Sequence, residues 1–305
     1  MNNEFYSNGK LLLTGEYAVL DGALSLALPT KYGQSLFINE IGEYKLIWKS
    51  LDENGHVWFE TEFDLKNISQ KQNFEYQKTS VSSTLLKILT EAKKLNPEFL
   101  EGDTGYEVIT KLTFPRNWGL GSSSTLINNI AMWAQVDAFK LLWNSFAGSG
   151  YDIACAQNNT PILYRVLNQY PDIKPVDFNP TFKNNLYFVY LNKKQNSRKE
   201  ITKYNSVKKD KAEFVNEISG ITNKIITCNS LSDFEVLIDH HEDIISAHIG
   251  LERAKASLFP DFSGSIKSLG AWGGDFILVT GNDDTPDYFH RKGFPVVLSY
   301  DHLIF

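Results

Sequence analysis

Apolar positions along this chain recur with two different periods. Residues 34–50 (QSLFINEIGEYKLIWKS) and 56–65 (HVWFETEFDL) alternate and are rich in β-branched and aromatic side chains, the pattern of half-buried strands. Residues 79–95 (TSVSSTLLKILTEAKKL) place Val81, Leu85, Leu86, Ile88, Leu89 and Ala92 on one helical stripe, behind candidate caps Thr79 and Ser80. Residues 105–114 (GYEVITKLTF) read as a strand ending at Pro115. A glycine-serine loop then leads into a helix carrying Leu126, Ile127, Ile130, Ala131 and Ala134. A second helix follows at 136–146, with Asp137 as its cap. Residues 10–30 (KLLLTGEYAVLDGALSLALPT) read as strand, turn and strand, broken at Asp21-Gly22.

Three prolines in 168–180 (NQYPDIKPVDFNP) suggest a domain boundary, giving domains 1–180 and 181–305. Beyond it lie a strand at 185–192, helices at 211–228 and 234–255, and strands at 276–281 and 294–300. Strands and helices mix without regular βαβ alternation, so the expected class is α+β.

The chain has 305 residues, 42% of them hydrophobic and 13% aromatic, enough for two real cores. A net charge of -6 argues against a nucleic-acid partner. Two cysteines without zinc spacing argue against a disulfide scaffold and suit a reducing compartment. No run of 18 apolar residues and no leader-like N-terminus is present, so the expectation is a cytoplasmic protein without a membrane partner.

The loop at Gly119, Leu120, Gly121, Ser122, Ser123 and Ser124 suits a phosphate. Glycines allow close backbone approach, first-turn N–H groups lack intrahelical partners, and the helix dipole favours an anion. A surface turn with a serine cap is the plainer alternative for this segment alone. GxxxxGK[ST] is absent, since Gly9-Lys10 is followed by Leu11, and GxGxxG fails at Ser124. His241, His248 and Glu252 share a helix face at i, i+7 and i+11, but HExxH is absent, so a metal site is the lesser reading there.

Three segments, GKLLLTGEYAVLDG (9–22), PRNWGLGSSST (115–125) and SLGAWGGDF (268–276), resemble in order and spacing the three motifs of the GHMP kinases. That resemblance implies an N-terminal ATP-binding α+β domain, a ferredoxin-like C-terminal domain, and an active site between them. It places ATP phosphates on the 119–125 loop and makes Ser123 a Mg²⁺ ligand. Lys10 falls near the transferred phosphoryl group. AGSGYDIACA (147–156) aligns with the segment of the acidic catalytic residue, here Asp152, and its GYDIA string resembles a bacterial subgroup. GEYAV, GSGYDIACA and Gly273-Gly274-Asp275, with Lys267 just before, are most similar to phosphomevalonate kinases, then to mevalonate kinases. Glu16, Tyr17, Gly273 and Gly274 fall at substrate positions, with Glu16 also open to a structural role. In the run 192–200, Lys194 and Arg198 suit either a solvated loop or a substrate phosphate. Two departures stand out: Trp272 occupies a usually small position, and Leu141 stands where mevalonate kinases carry a second Mg²⁺ carboxylate. The expected ligands are ATP, Mg²⁺ and a small alcohol or phosphate-bearing metabolite.

Overall fold

The computed structural model describes residues 3–69, 80–193, 204, 211–270, 272 and 275–305. Its chain divides into two compact units that interleave along the sequence. The first comprises Met1–Gly9, Tyr32–Arg116 and Gly121–Gln157; the second comprises Lys10–Lys31, Asn117–Leu120 and Asn158–Phe305. A linear boundary at 180 and these units are thus different divisions: segments 10–31, 117–120 and 158–180 go with the second unit.

Strands β1 (Glu4–Leu12) and β2 (Ser25–Ile41) run through both units. The first unit adds β3 (Lys45–Leu51), β4 (Val57–Asp64), α1 (Leu65–Ser69), α2 (Val81–Leu95) and β5 (Gly105–Leu112). It continues with α3 (Ser122–Ala134), α4 (Ala138–Ser145) and α5 (Tyr151–Ala156). Its strand order is β4-β3-β5-β2, with β3 parallel to β5 and the other pairs antiparallel. Alternation works as expected in β3, where Leu46, Trp48 and Ser50 are buried and the intervening residues are not. Ser80 caps α2 by accepting from the Ser83 N–H, and Asp137 caps α4 by accepting from Phe139 and Lys140. Thr79, the other candidate, lies outside the described residues.

The second unit holds β6 (Ile162–Leu167), β7 (Tyr170–Pro175), β8 (Leu186–Tyr190), α6 (Ala212–Ile226) and α7 (Leu231–Ile249). After these come α8 (Ala254–Leu258), β9 (Ile266–Ser268), β10 (Phe276–Thr280), α9 (Thr285–Arg291), β11 (Val297–Ser299) and α10 (Tyr300–Leu303). Here β2 pairs with β6, and a separate antiparallel sheet has the order β11-β8-β10-β9. Every residue of β8 and β10 is buried, and Val189, Phe259, Ile266, Ile277, Val279 and Phe289 meet in one core. The fold is α+β with two sheets, as the mixed pattern implies.

Three elements differ from the sequence reading. Residues 18–21 form a 3₁₀ turn instead of extending a strand, because the chain reverses through Gly15 and Tyr17, both at positive φ. The proline-rich stretch is a β6–β7 hairpin. Its two-residue turn, Asn168-Gln169, has positive φ at both positions, as a type I′ turn requires, and Pro171 and Pro175 sit on the edge strand. The helix expected over 234–255 ends at Ile249, where Gly250 takes a left-handed cap. Among the described residues no helix is long and apolar enough to cross a membrane.

Candidate active site

Residues 117–120, the start of loop 117–125, belong to the second unit and are fixed within it. The Tyr190 hydroxyl donates to the Asn117 carbonyl at 2.9 Å, and the Trp118 ring meets Phe276 edge-on at 5.5 Å. The Lys10 backbone N–H donates to the Leu120 carbonyl at 3.0 Å, and its ammonium donates to the Gly119 carbonyl at 2.9 Å. Lys10 is half-buried, so its charge lies on the loop yet reaches solvent. Gly119 has φ 68°, and a Cβ there would fall 2.3 Å from an Asp275 carboxylate oxygen. Only glycine fits that approach.

The loop ends at Gly121, which precedes α3 in a left-handed conformation and brings no side-chain cap. The first-turn N–H groups at Ser122, Ser123 and Ser124 therefore have no cap from the preceding residue, and the helix dipole adds positive potential there. Ser124 is buried and donates its hydroxyl to the Gly121 carbonyl at 2.8 Å, whereas Ser123 is exposed.

Two buried asparagines fix α3. The Asn129 amide donates to the Gln34 carbonyl at 2.9 Å, the Asn128 amide donates to the Ser7 hydroxyl at 2.9 Å, and that hydroxyl donates to Asn129 Oδ1 at 2.7 Å. Thr125 donates to Gln34 Oε1 at 2.8 Å. The apolar periodicity of α3 gives no sign of this network, because polar residues in a stripe pattern read as solvent-facing. The network anchors the helix by directional bonds where apolar packing alone would let it slide.

Asp152 lies in the first turn of α5, half-buried. Gly150 is the N-cap, so Asp152 is inside the helix and not ahead of it. Helix α5 packs on α3, the helix that leaves the loop. Leu141 on α4 is fully buried, so that position offers core packing and no carboxylate.

Glu16 and Tyr17 are buried in the second unit, at 1% and 8% exposure. The Lys267 ammonium donates to Glu16 Oε1 at 2.5 Å and to the Ser268 carbonyl at 3.0 Å, and lies 3.5 Å from Glu242 Oε1. Ser268 donates its hydroxyl to Glu242 Oε2 at 3.1 Å. His241 Nε2 accepts the Gly15 backbone N–H at 3.0 Å and faces Glu16 Oε2 at 3.5 Å. One cation thus faces two carboxyls in a site without water contact. Burial, partly offset by Lys267, pushes the Glu16 carboxyl up to about 7, and burial also raises Glu242. Burial first, then the Lys267 charge, holds His241 well below its ordinary value and keeps it neutral, as an Nε2 acceptor must be. In the sequence Glu16 reads as a substrate-position or structural residue, Lys267 as a motif neighbour and His241 as a lesser metal candidate; their meeting is not legible there. Among the described residues no group of three His, Cys, Asp or Glu side chains could hold a metal; His248 instead stacks on Phe214 at 3.9 Å.

Tyr17 stacks on Tyr204 at 5.4 Å, and its hydroxyl accepts from the Trp272 backbone N–H at 3.4 Å. Trp272 is buried in the same cluster. Lys194, Arg198, Gly273 and Gly274 lie outside the described residues.

No protein-family model matches the chain, and neither does any curated protein. Solved structures do. A phosphomevalonate kinase of Streptococcus pneumoniae, in complex with phosphomevalonate and AMPPNP, is 15% identical with a TM-score of 0.71, covering 97% of this chain and 99% of that one. A Lactococcus lactis galactokinase complexed with galactose is 14% identical with a TM-score of 0.69, covering 97% and 92%. The mevalonate kinase of Methanococcus jannaschii is 15% identical with a TM-score of 0.68, covering 95% and 93%. Kinases for different substrates thus align along nearly the whole chain, and its fold is that of the GHMP kinases.

Proposed function

We propose that this protein is an ATP-dependent small-molecule kinase of the GHMP family, acting on a metabolite of the mevalonate route. Phosphomevalonate is the first substrate and mevalonate the second. One observation carries the reading: a loop gripped by the Lys10 ammonium runs, through a glycine with no side-chain cap, into the first turn of α3. This supports the reading, in which the uncapped first turn takes an anion and Lys10 supplies a cation for it. The motifs favour phosphomevalonate over galactose, since the first motif reads GEYAV and the last reads GGD.

Phosphoryl transfer is governed by positioning and charge stabilisation. The loop amides bind phosphate oxygens, and Lys10 neutralises charge on the transferred group. Asp152 orients the acceptor hydroxyl and takes its proton late. Mg²⁺, when bound, supplies further charge neutralisation on the phosphates. The exposed Ser123 hydroxyl fits as its protein ligand; with Leu141 in the core, phosphate and water would fill the rest of the shell, as this ion accepts. Asp152→Asn is expected to lower kcat by about 10²–10⁴-fold while leaving the ATP dissociation constant unchanged. Unchanged kcat would remove Asp152 from the mechanism.

A second reading, a protein that binds nucleotide without turnover, is favoured by the buried Leu141 and Trp272. An ADP-release assay with mevalonate, phosphomevalonate, galactose and homoserine separates the two. ATP binding with no turnover on any acceptor supports the second reading. Turnover on mevalonate but not on its phosphate reverses the order of substrates.

A further inference from the structure

Tyr17 is a strained residue. Its φ of 61° and ψ of -47° lie outside the regions open to an aromatic side chain. The Ala18 N–H donates to the Glu16 carbonyl at 2.7 Å, so Tyr17 is the centre of a γ-turn of the rarer, strained hand. Such strain persists only where the surroundings over-determine it, and it gathers at functional sites.

The surroundings here are unusual. The residue before the turn is Glu16, clamped by Lys267; the one before that is Gly15, whose N–H is taken by His241. A Cβ on Gly15 would fall 2.0 Å from Ser25 Oγ, so the chain is pressed against β2 as well. Lys267, His241 and Glu242 are all fully buried. A buried ion pair adds little net stability compared with apolar packing of the same volume, which makes stability a poor explanation for this one. Its three elements, β9, α7 and the turn, are instead locked in register by directional bonds.

We propose that Lys267, with His241, is a positioning residue: acting through Glu16 and Gly15, it holds the strained turn at Tyr17 in the geometry that the acceptor substrate needs. Lys267 is fully buried and its ammonium is engaged by Glu16, Glu242 and the Ser268 carbonyl, so its action runs through Glu16. The kinase reading enters only in naming what the turn serves; the clamp on the turn stands by itself.

Three variants test this, with four measurements on each: thermal midpoint, ATP dissociation constant, amide hydrogen exchange of the peptide 13–19, and KM for whichever acceptor the parent turns over. Lys267→Met leaves two buried carboxyls without their cation and is expected to lower the midpoint sharply. Lys267→Met/Glu16→Gln removes both members of the short pair and is expected to regain part of that loss. His241→Leu deletes the acceptor of the Gly15 N–H without removing a charge, and carries the test should both charge variants fail to fold. In every folded variant, exchange in 13–19 is expected to rise about tenfold or more. Acceptor KM is expected to rise by about tenfold to a hundredfold, with ATP binding unchanged. Parent-like exchange in 13–19, or a double variant that regains both midpoint and acceptor KM, overturns the proposal and leaves a purely structural ion pair. If the parent turns over none of the acceptors, the kinase reading falls, while the exchange measurement still decides whether the clamp holds the turn.

Discussion

The 117–125 loop and the turn at 13–17 are both glycine-bearing, and both carry charge, yet they handle it in opposite ways. The loop keeps its lysine half in solvent, leaves a serine hydroxyl exposed and ends at a helix start without a side-chain cap. The turn seals a lysine, two carboxyls and a histidine away from water and satisfies the cation with close partners. Open donors and an accessible cation suit a ligand that comes and goes. Sealed charges cannot exchange partners without a large penalty, so they suit a fixed frame. On the proposed reading, the loop is the part that binds and the turn is the part that holds.

The comparison can be broken by moving pH. Glu16 has its folded-state carboxyl at about 7, above the ordinary 4.5. A raised carboxyl contributes stability that is complete below the unfolded value and is lost as pH rises through the folded one. Unfolding free energy of the parent should therefore fall by about 3 kcal/mol between pH 4.5 and 7.5 from this group. In Glu16→Gln, Lys267 faces the single carboxyl of Glu242 and that slope should largely disappear. Parallel denaturation curves across this range would show that the cluster is not sealed.

Gly119→Ala sharpens the other side. A methyl group there meets the Asp275 carboxylate and a left-handed backbone. The expected cost is about 1–2 kcal/mol of stability, with weaker ATP binding. Equal ATP affinity would place the nucleotide away from this loop. The smallest effect on folding belongs to Ser123→Ala, at an exposed site, within about 0.5 kcal/mol of the parent. Its signature should be a raised Mg²⁺ requirement for turnover, read by titrating the metal at fixed ATP. An unchanged Mg²⁺ profile would remove Ser123 as ligand.

The two regions also differ in how far they could be read from residues alone. The loop's glycines and serines ahead of a helical stripe state their local chemistry, and the caps Ser80 and Asp137 are local as well. The turn's partners come from residues more than two hundred positions away; the period of α7 puts His241 on the stripe of Phe234, Ile238 and Ile245, but nothing local names Gly15 and Glu16 as what it meets. The same holds for Asn128 and Asn129, whose burial depends on Ser7 and Gln34. The β6–β7 hairpin was hidden by prolines that break central strands but are tolerated at an edge. Local chemistry is legible where one segment carries it; buried polar networks are built by the fold and are visible only there.

The account rests most heavily on the proposed anion site at the start of α3. Titration of ¹⁵N-labelled protein with MgATP reads it directly. The account predicts that the backbone amides of Gly119 and of residues 121–124 shift most, and that these shifts weaken in Gly119→Ala. Saturable ATP binding with those amides unmoved, or no binding at all, would contradict it.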